Sequence, residues 1–156
     1  MLDLRGVGVS GALVLSDLLK FSSALKSCNL LKNGLDVESA KMLSKIGTEK
    51  GIMLSGMKRD QTKADFTNQC LQPADSILIG SDLQFMAVVT TLDLGDNRFG
   101  DEGAKAIAEA LKVNAVLTKL DIQFNNMGDA GKKAVRDAVK LKGRSGFVLE
   151  LMGRHH

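Results

Sequence analysis

Short runs of alternating apolar and polar residues recur along the chain, each followed by a stretch with apolar residues at i, i+3 and i+4. The first pattern predicts a strand with one covered face, the second an amphipathic helix. Both are sharpest over Val89–Val116, VTTLDLGDNRFGDEGAKAIAEALKVNAV, and in the copy that begins at Leu117. Leu92, Leu94, Asn97 and Ile107 stand 28 residues before Leu120, Ile122, Asn125 and Val135. Each copy therefore predicts one strand and one helix. Strands that recur with a helix between them run parallel.

The same unit can be followed through the rest of the chain. The first begins at Leu2-Asp3-Leu4, with Ser10 as a helix N-cap and Leu13, Leu15, Leu18, Leu19 and Phe21 on the helix. The second has Leu25, Cys28, Leu30, Asn33 and Leu35 at matching offsets, then a helix over Val37–Ile46 with Ala40 and Leu43 inward. The third is Ala64-Asp65-Phe66, with Gln69 in the asparagine position, Leu71 closing the turn and Pro73 at a helix start. Phe147, Leu149 and Leu151 predict a closing strand. One irregularity stands out. Leu30 and Phe66 are 36 residues apart, eight more than the regular step, so about 47–61 reads as an insertion in a single domain over 1–156. Ile52-Met53-Leu54 could add a short strand there, and extra residues in a repeat normally form a loop on one side, here a candidate contact loop.

Stacked units share one core that no single unit could build. The asparagines Asn33, Asn97 and Asn125, with Gln69 in the same place, fall where the chain leaves each strand. An amide side chain there satisfies main-chain groups inside the turn. With L-x-x-L-x-L-x-x-N-x-L spacing, 28-residue units and the GDEGAKAIAEAL phrase, the chain resembles the ribonuclease-inhibitor-like class of leucine-rich repeat proteins. The resemblance implies an α/β solenoid, a short right-handed horseshoe with a parallel sheet of about six strands on the concave side and helices on the convex side. It also implies a non-enzymatic scaffold for protein–protein binding. Ribonuclease binding does not carry over, because this chain is far shorter and poor in Cys and Trp. The class includes the GTPase-activating protein of Ran, and no residue match supports that activity here. A structural or adaptor subunit, docking by its helical side or open ends, is the main alternative, and a GTPase regulator a weaker one.

Composition narrows the partner. A net charge of +3 on 156 residues gives no general attraction to nucleic acid or membrane, and no apolar run is long enough to insert into a bilayer. Trp and Tyr are absent, which removes the usual base-stacking platforms. Two cysteines make no disulfide framework, and Cys28 occupies a leucine position, so it reads as a small buried apolar residue. These features point to an intracellular, cytoplasmic setting. No cofactor, metal site or catalytic set is predicted.

The middle residue of each LxL run points to the open face. Those residues are Asp3, Asn29, Asp65, Asp93, Asp121 and Glu150, five of the six acidic. Neighbouring like charges about 5 Å apart repel by roughly 0.8 kcal/mol in water. Such a ridge would favour a basic segment of a partner; it could also serve only to solubilise the sheet. Asp96, Gln123 and Phe124 lie in the next columns, and Lys63 and Lys119 flank the acids, completing the predicted partner-binding face.

Weaker signals have simpler explanations. Lys132, Lys133, Arg136, Lys140, Lys142 and Arg144 read as a solvated end, or as a site for an acidic partner. Gly6, Gly8 and Gly11 spell GxGxxG, better explained by a tight turn than by a phosphate cradle. His155-His156 read as a weak metal pair or an affinity-tag remnant. A strand at Leu2 leaves an open sheet edge through which the chain could self-associate.

Overall fold

Leu92 and Leu94 are fully buried while Asp93 between them is half-buried, so a short strand with one covered face forms where the alternation predicts it. The computed structural model describes residues 2, 3, 11–141 and 143–151. Leu4, Gly6, Gly8, Ser10, Lys142 and His155-His156 lie outside them. Strands and helices alternate: β1 (Leu2–Asp3), α1 (Ala12–Phe21), β2 (Cys28–Asn29), α2 (Val37–Lys50), β3 (Lys63–Asp65), α3 (Pro73–Leu83), β4 (Thr91–Asp93), α4 (Gly100–Val113), β5 (Lys119–Asp121), α5 (Asp129–Leu141) and β6 (Val148–Glu150). Every strand pair is parallel, and each helix packs on the next. The step of 28 residues is the strand register itself, with Leu92 beside Leu120.

Asn97 and Asn125, at the strand exits, bond main-chain groups of their own turns and also reach across units. Asn97 Nδ2 donates to the carbonyl of Phe66 in the preceding unit at 2.9 Å and to its own Leu94 and Gly95. Its Oδ1 accepts the N–H groups of Gln69 and Leu71. Asn125 repeats the scheme on Leu94, Ile122, Gln123 and Phe99. Both amides are buried, and one side chain satisfies groups that a turn would otherwise leave unpaired. Asn33 donates to Leu30 within its own turn.

The strands do not form one sheet. β1 and β2 form a two-stranded sheet, and β3, β4, β5 and β6 a four-stranded one in that order. The cause is the insertion, whose first part packs along β2 while Lys58, Arg59 and Asp60 stay exposed. Its first residues extend α2 to Lys50, and Gly51 at φ +69° ends that helix. The chain then folds back along β2. Cys28 N–H donates to Met53 O and Met53 N–H to Lys26 O, so Ile52–Ser55 takes the place beside β2 that β3 would otherwise fill. Ile52, Met53, Leu54 and Met57 are buried. Gly47 permits the fold-back, because a Cβ there would stand 2.9 Å from Ile52 O and from a Leu54 methyl.

α3 joins the two sheets. It is the most buried helix, with eight buried residues out of eleven, two of them acids. Asp82 Oδ1 accepts Leu54 N–H at 2.7 Å, and its Oδ2 accepts Ser55 N–H and the Ser55 hydroxyl. The two N–H groups are ones that a neighbouring strand would have satisfied. At the other end of α3, Asp75 accepts the N–H of its own Gln72 and that of Lys32, 43 residues back. It holds the second unit's turn where a ladder asparagine from the third would be expected. Gln69, expected to fill that place, instead lends its main-chain N–H to Asn97.

Candidate functional site

Four carboxylates lie abreast on the open face of the four-stranded sheet. Asp65 is paired in register with Asp93, Asp93 with Asp121, and Asp121 with Glu150. Strands about 4.8 Å apart set the spacing of that row. Two residues earlier, on the same face, Lys63, Thr91, Lys119 and Val148 form a second row. Lys119 Nζ stands 4.0 Å from Glu150 Oε1, an exposed contact that contributes little. Lys63 is exposed.

The aspartates also serve their own turns, a role that the alternation alone did not reveal. Asp65 Oδ1 accepts Thr67 N–H at 2.9 Å, Asp93 Oδ1 accepts Gly95 N–H at 3.0 Å and Asp121 Oδ1 accepts Gln123 N–H at 3.0 Å. Each is a side chain bonding the main chain two residues on, which starts the turn out of the strand. Asn29 does the same for Leu31. At Asp65 the Thr67 hydroxyl adds a second bond, and together these hold the carboxyl below its usual range. Asp–x–Thr, Asp–x–Gly and Asp–x–Gln were the local signals that could have disclosed the role.

The remaining predicted site residues divide. Gln123 Nε2 lies 3.3 Å from both Asp121 Oδ1 and Glu150 Oε2, tying two members of the row together. Asp96 and Phe124 are exposed in the turns, each with a left-handed backbone, φ +56° and +58°. Lys32 and Asn68 have the same conformation at the corresponding positions. A bulky aromatic rarely accepts it, and strain of this kind costs about 1–3 kcal/mol. Asn29 does not join the row. It lies on β2 in the other sheet, with Ser55 as its neighbour across the insertion. Asp3, paired with Asn29, is separated from the row for the same reason.

The basic cluster near the C-terminal end is not uniform. Lys133 pairs with Asp137 at 2.6 Å on the exposed side of α5. Arg144 turns inward and donates to the carbonyls of Leu111, Asn114 and Leu117, closing the end of α4. It is a structural residue and not part of a solvated end. Cys28 is buried as expected. Burial and, to a smaller extent, the Asp82 charge push its thiol up to about 12, while Cys70 is exposed.

Among the described residues no group of His, Cys, Asp or Glu is placed to hold a metal ion, and no helix is long and apolar enough to cross a membrane. No curated protein matches the chain. Residues 86–108 and 113–135 each match the family model described as Leucine Rich repeat. Those matches fall on the two regular units, β4–α4 and β5–α5, where the row of acids and the buried asparagines are most complete. Over 86–135 the chain is thus built of leucine-rich repeats, units that generally mediate contact between proteins.

Proposed function

We propose that residues 1–156 form one repeat domain of the ribonuclease-inhibitor-like class, a short horseshoe that works as a non-enzymatic interaction module. Its partner is a protein carrying a basic segment, held on the open face of the four-stranded sheet. The observation that carries this reading is the in-register row Asp65, Asp93, Asp121 and Glu150. Four carboxylates on neighbouring strands repel one another, and a line of lysines or arginines removes that repulsion while adding charge-assisted bonds. Gln123 and the exposed Asp96 and Phe124 border the row, giving polar and apolar contacts at its rim. The same row repels phosphate, which sets the face apart from a nucleic-acid surface.

The test uses the variant Asp65→Asn/Asp93→Asn/Asp121→Asn and an arginine-rich peptide followed by fluorescence anisotropy. Asparagine keeps an Oδ1 acceptor for each turn, so the fold survives while three charges go. Binding is expected to weaken at least tenfold in the variant and to fall with added salt in the wild type. Equal affinity of the two proteins would discard the acidic row as the binding surface.

A further inference from the structure

α3 lies low between its neighbours on the helix side of the molecule. It runs for 11 residues against 14 in α2 and 14 in α4, and eight of its residues are buried. The two longer helices form the walls of a groove of about 420 Å³ along it. A second hollow of about 270 Å³ shares Lys41, Ile77, Ala106 and Glu109 and carries the groove along α4 to Glu102. From Glu102 to Val113 the α4 wall measures roughly 16 Å, three turns of helix. The floor is uncharged and mostly small: Ile77, Gly80 and Ser81 of α3 lie beside Ala106 and Ala110 of α4. Val113, at one end, is 65% exposed.

The two walls differ in charge. Lys41 and Lys45 stand one turn apart on α2, both exposed, and among the described residues no acid of α2 lines the groove. Lys41 also meets Glu38 at 3.7 Å, an exposed contact that contributes little. On α4, Lys105 stands between Glu102 and Glu109, and Glu109 is held by Lys112 at 2.8 Å, so that wall is close to neutral. Ser44, on the same stripe of α2 as the two lysines, is buried, and its hydroxyl has no hydrogen-bond partner among the described residues.

We propose that this groove receives an amphipathic helix of another protein, with its apolar face on Ile77, Ala106, Ala110 and Val113 and an acidic border over α2. An apolar trough between two helix walls is the shape such a helix fits, and small floor residues let it come close. The lysines set the charge of its border. Carboxylates four residues apart on one side of a helix match the spacing of Lys41 and Lys45 in either chain direction. The near-neutral α4 wall demands no charge from the other border. A polar side chain of the occupant at the level of Ser44 would relieve a hydroxyl that folding leaves unpaired. The groove is on the helices and the acidic row on the sheet, so the two faces select partners of opposite charge, and neither depends on the other.

Two labelled helical peptides of about 16 residues test it by fluorescence anisotropy. Both carry an alanine–leucine face; one has two glutamates four residues apart along a border of that face, the other two lysines. The wild type is expected to bind the glutamate peptide in the micromolar range, and Lys41→Glu/Lys45→Glu to bind it about tenfold more weakly or worse, with unchanged circular dichroism. Asp65→Asn/Asp93→Asn/Asp121→Asn, whose sheet no longer attracts the lysine peptide, is expected to keep the wild-type affinity for the glutamate peptide. Adding the two lysine exchanges to that variant is expected to reverse its preference in favour of the lysine peptide. No binding of the glutamate peptide by the wild type at about 200 µM would overturn the proposal, as would an affinity that the lysine exchanges leave untouched. Self-association of the wild type that those exchanges abolish would give the groove to a second copy and overturn it too.

Discussion

Asp82 Oδ1 accepts the main-chain N–H of Leu54 at 2.7 Å, across 28 residues of sequence. A side chain here takes the place of a strand. The carboxylate satisfies Leu54 and Ser55, and so lets a parallel sheet stop after the insertion and resume at β3 without leaving buried donors unpaired. Asp82→Ala is expected to cost about 2–4 kcal/mol, because both N–H groups would stay buried without an acceptor. Urea denaturation measures it, with an unchanged slope expected if only the folded state is affected.

Burial of Asp82 raises its carboxyl to about 6, against the pull of Ser55, Leu54 and, more weakly, Arg59. The folded protein thus holds this proton more tightly than the unfolded chain does. The stability it contributes is fully present below pH 3.8 and is lost as pH rises through about 6. The loss is on the order of 3 kcal/mol. Asp75, also raised by burial, acts in the same direction. Melts of the wild type and Asp82→Asn between pH 4 and 7 are expected to diverge, with the steeper decline in the wild type. Parallel curves would contradict the raised value.

Asn97 makes five bonds to main-chain groups, two of them to residues of the preceding unit's turn and one to Phe66 at its strand. Asn97→Ala is expected to destabilise by about 3 kcal/mol or more, among the larger single-residue effects. Gln69→Ala is expected to cost under 1 kcal/mol, since Gln69 enters that network through its main chain. Thermal denaturation of the two variants compares them directly.

The two thiols differ sharply. Cys28 is fully buried with its thiol pushed up to about 12, whereas Cys70 is exposed. A thiol reagent at pH 8 is expected to modify Cys70 quickly and Cys28 only as the protein opens. Cys70→Ser is expected to abolish the fast phase. A fast phase that persists would show Cys28 to be accessible.

The regular units were legible because their period is also their register: Leu92 and Leu120 are 28 residues apart and lie side by side. Asn97 and Asn125 are assignable to the turns because a side-chain amide both donates and accepts, and so pairs main-chain groups of either kind. The division of the sheet was not legible. Eight extra residues give the same spacing whether they loop outward or lie along β2, and the choice rests on contacts such as Met53 with Lys26 and Asp82 with Ser55. Nothing local marks the roles of Asp75 and Asp82 in joining the units, since the partners they hold outside α3 and its cap are 27 to 43 residues away in sequence. Asn29 was placed with the acidic row by its position in LxL, and the insertion separated it from the row.

The amides of Thr67, Gly95 and Gln123 report directly on the row, because each donates to the carboxylate of Asp65, Asp93 or Asp121. Titrating isotope-labelled protein with an arginine-rich peptide, and following these amides by NMR, is the most direct measurement of the proposed binding face. The three are expected to shift together along one saturating curve, while amides on the outer surfaces of α2 and α5 stay in place. Shifts confined to the helices, with Thr67, Gly95 and Gln123 unmoved, would contradict it.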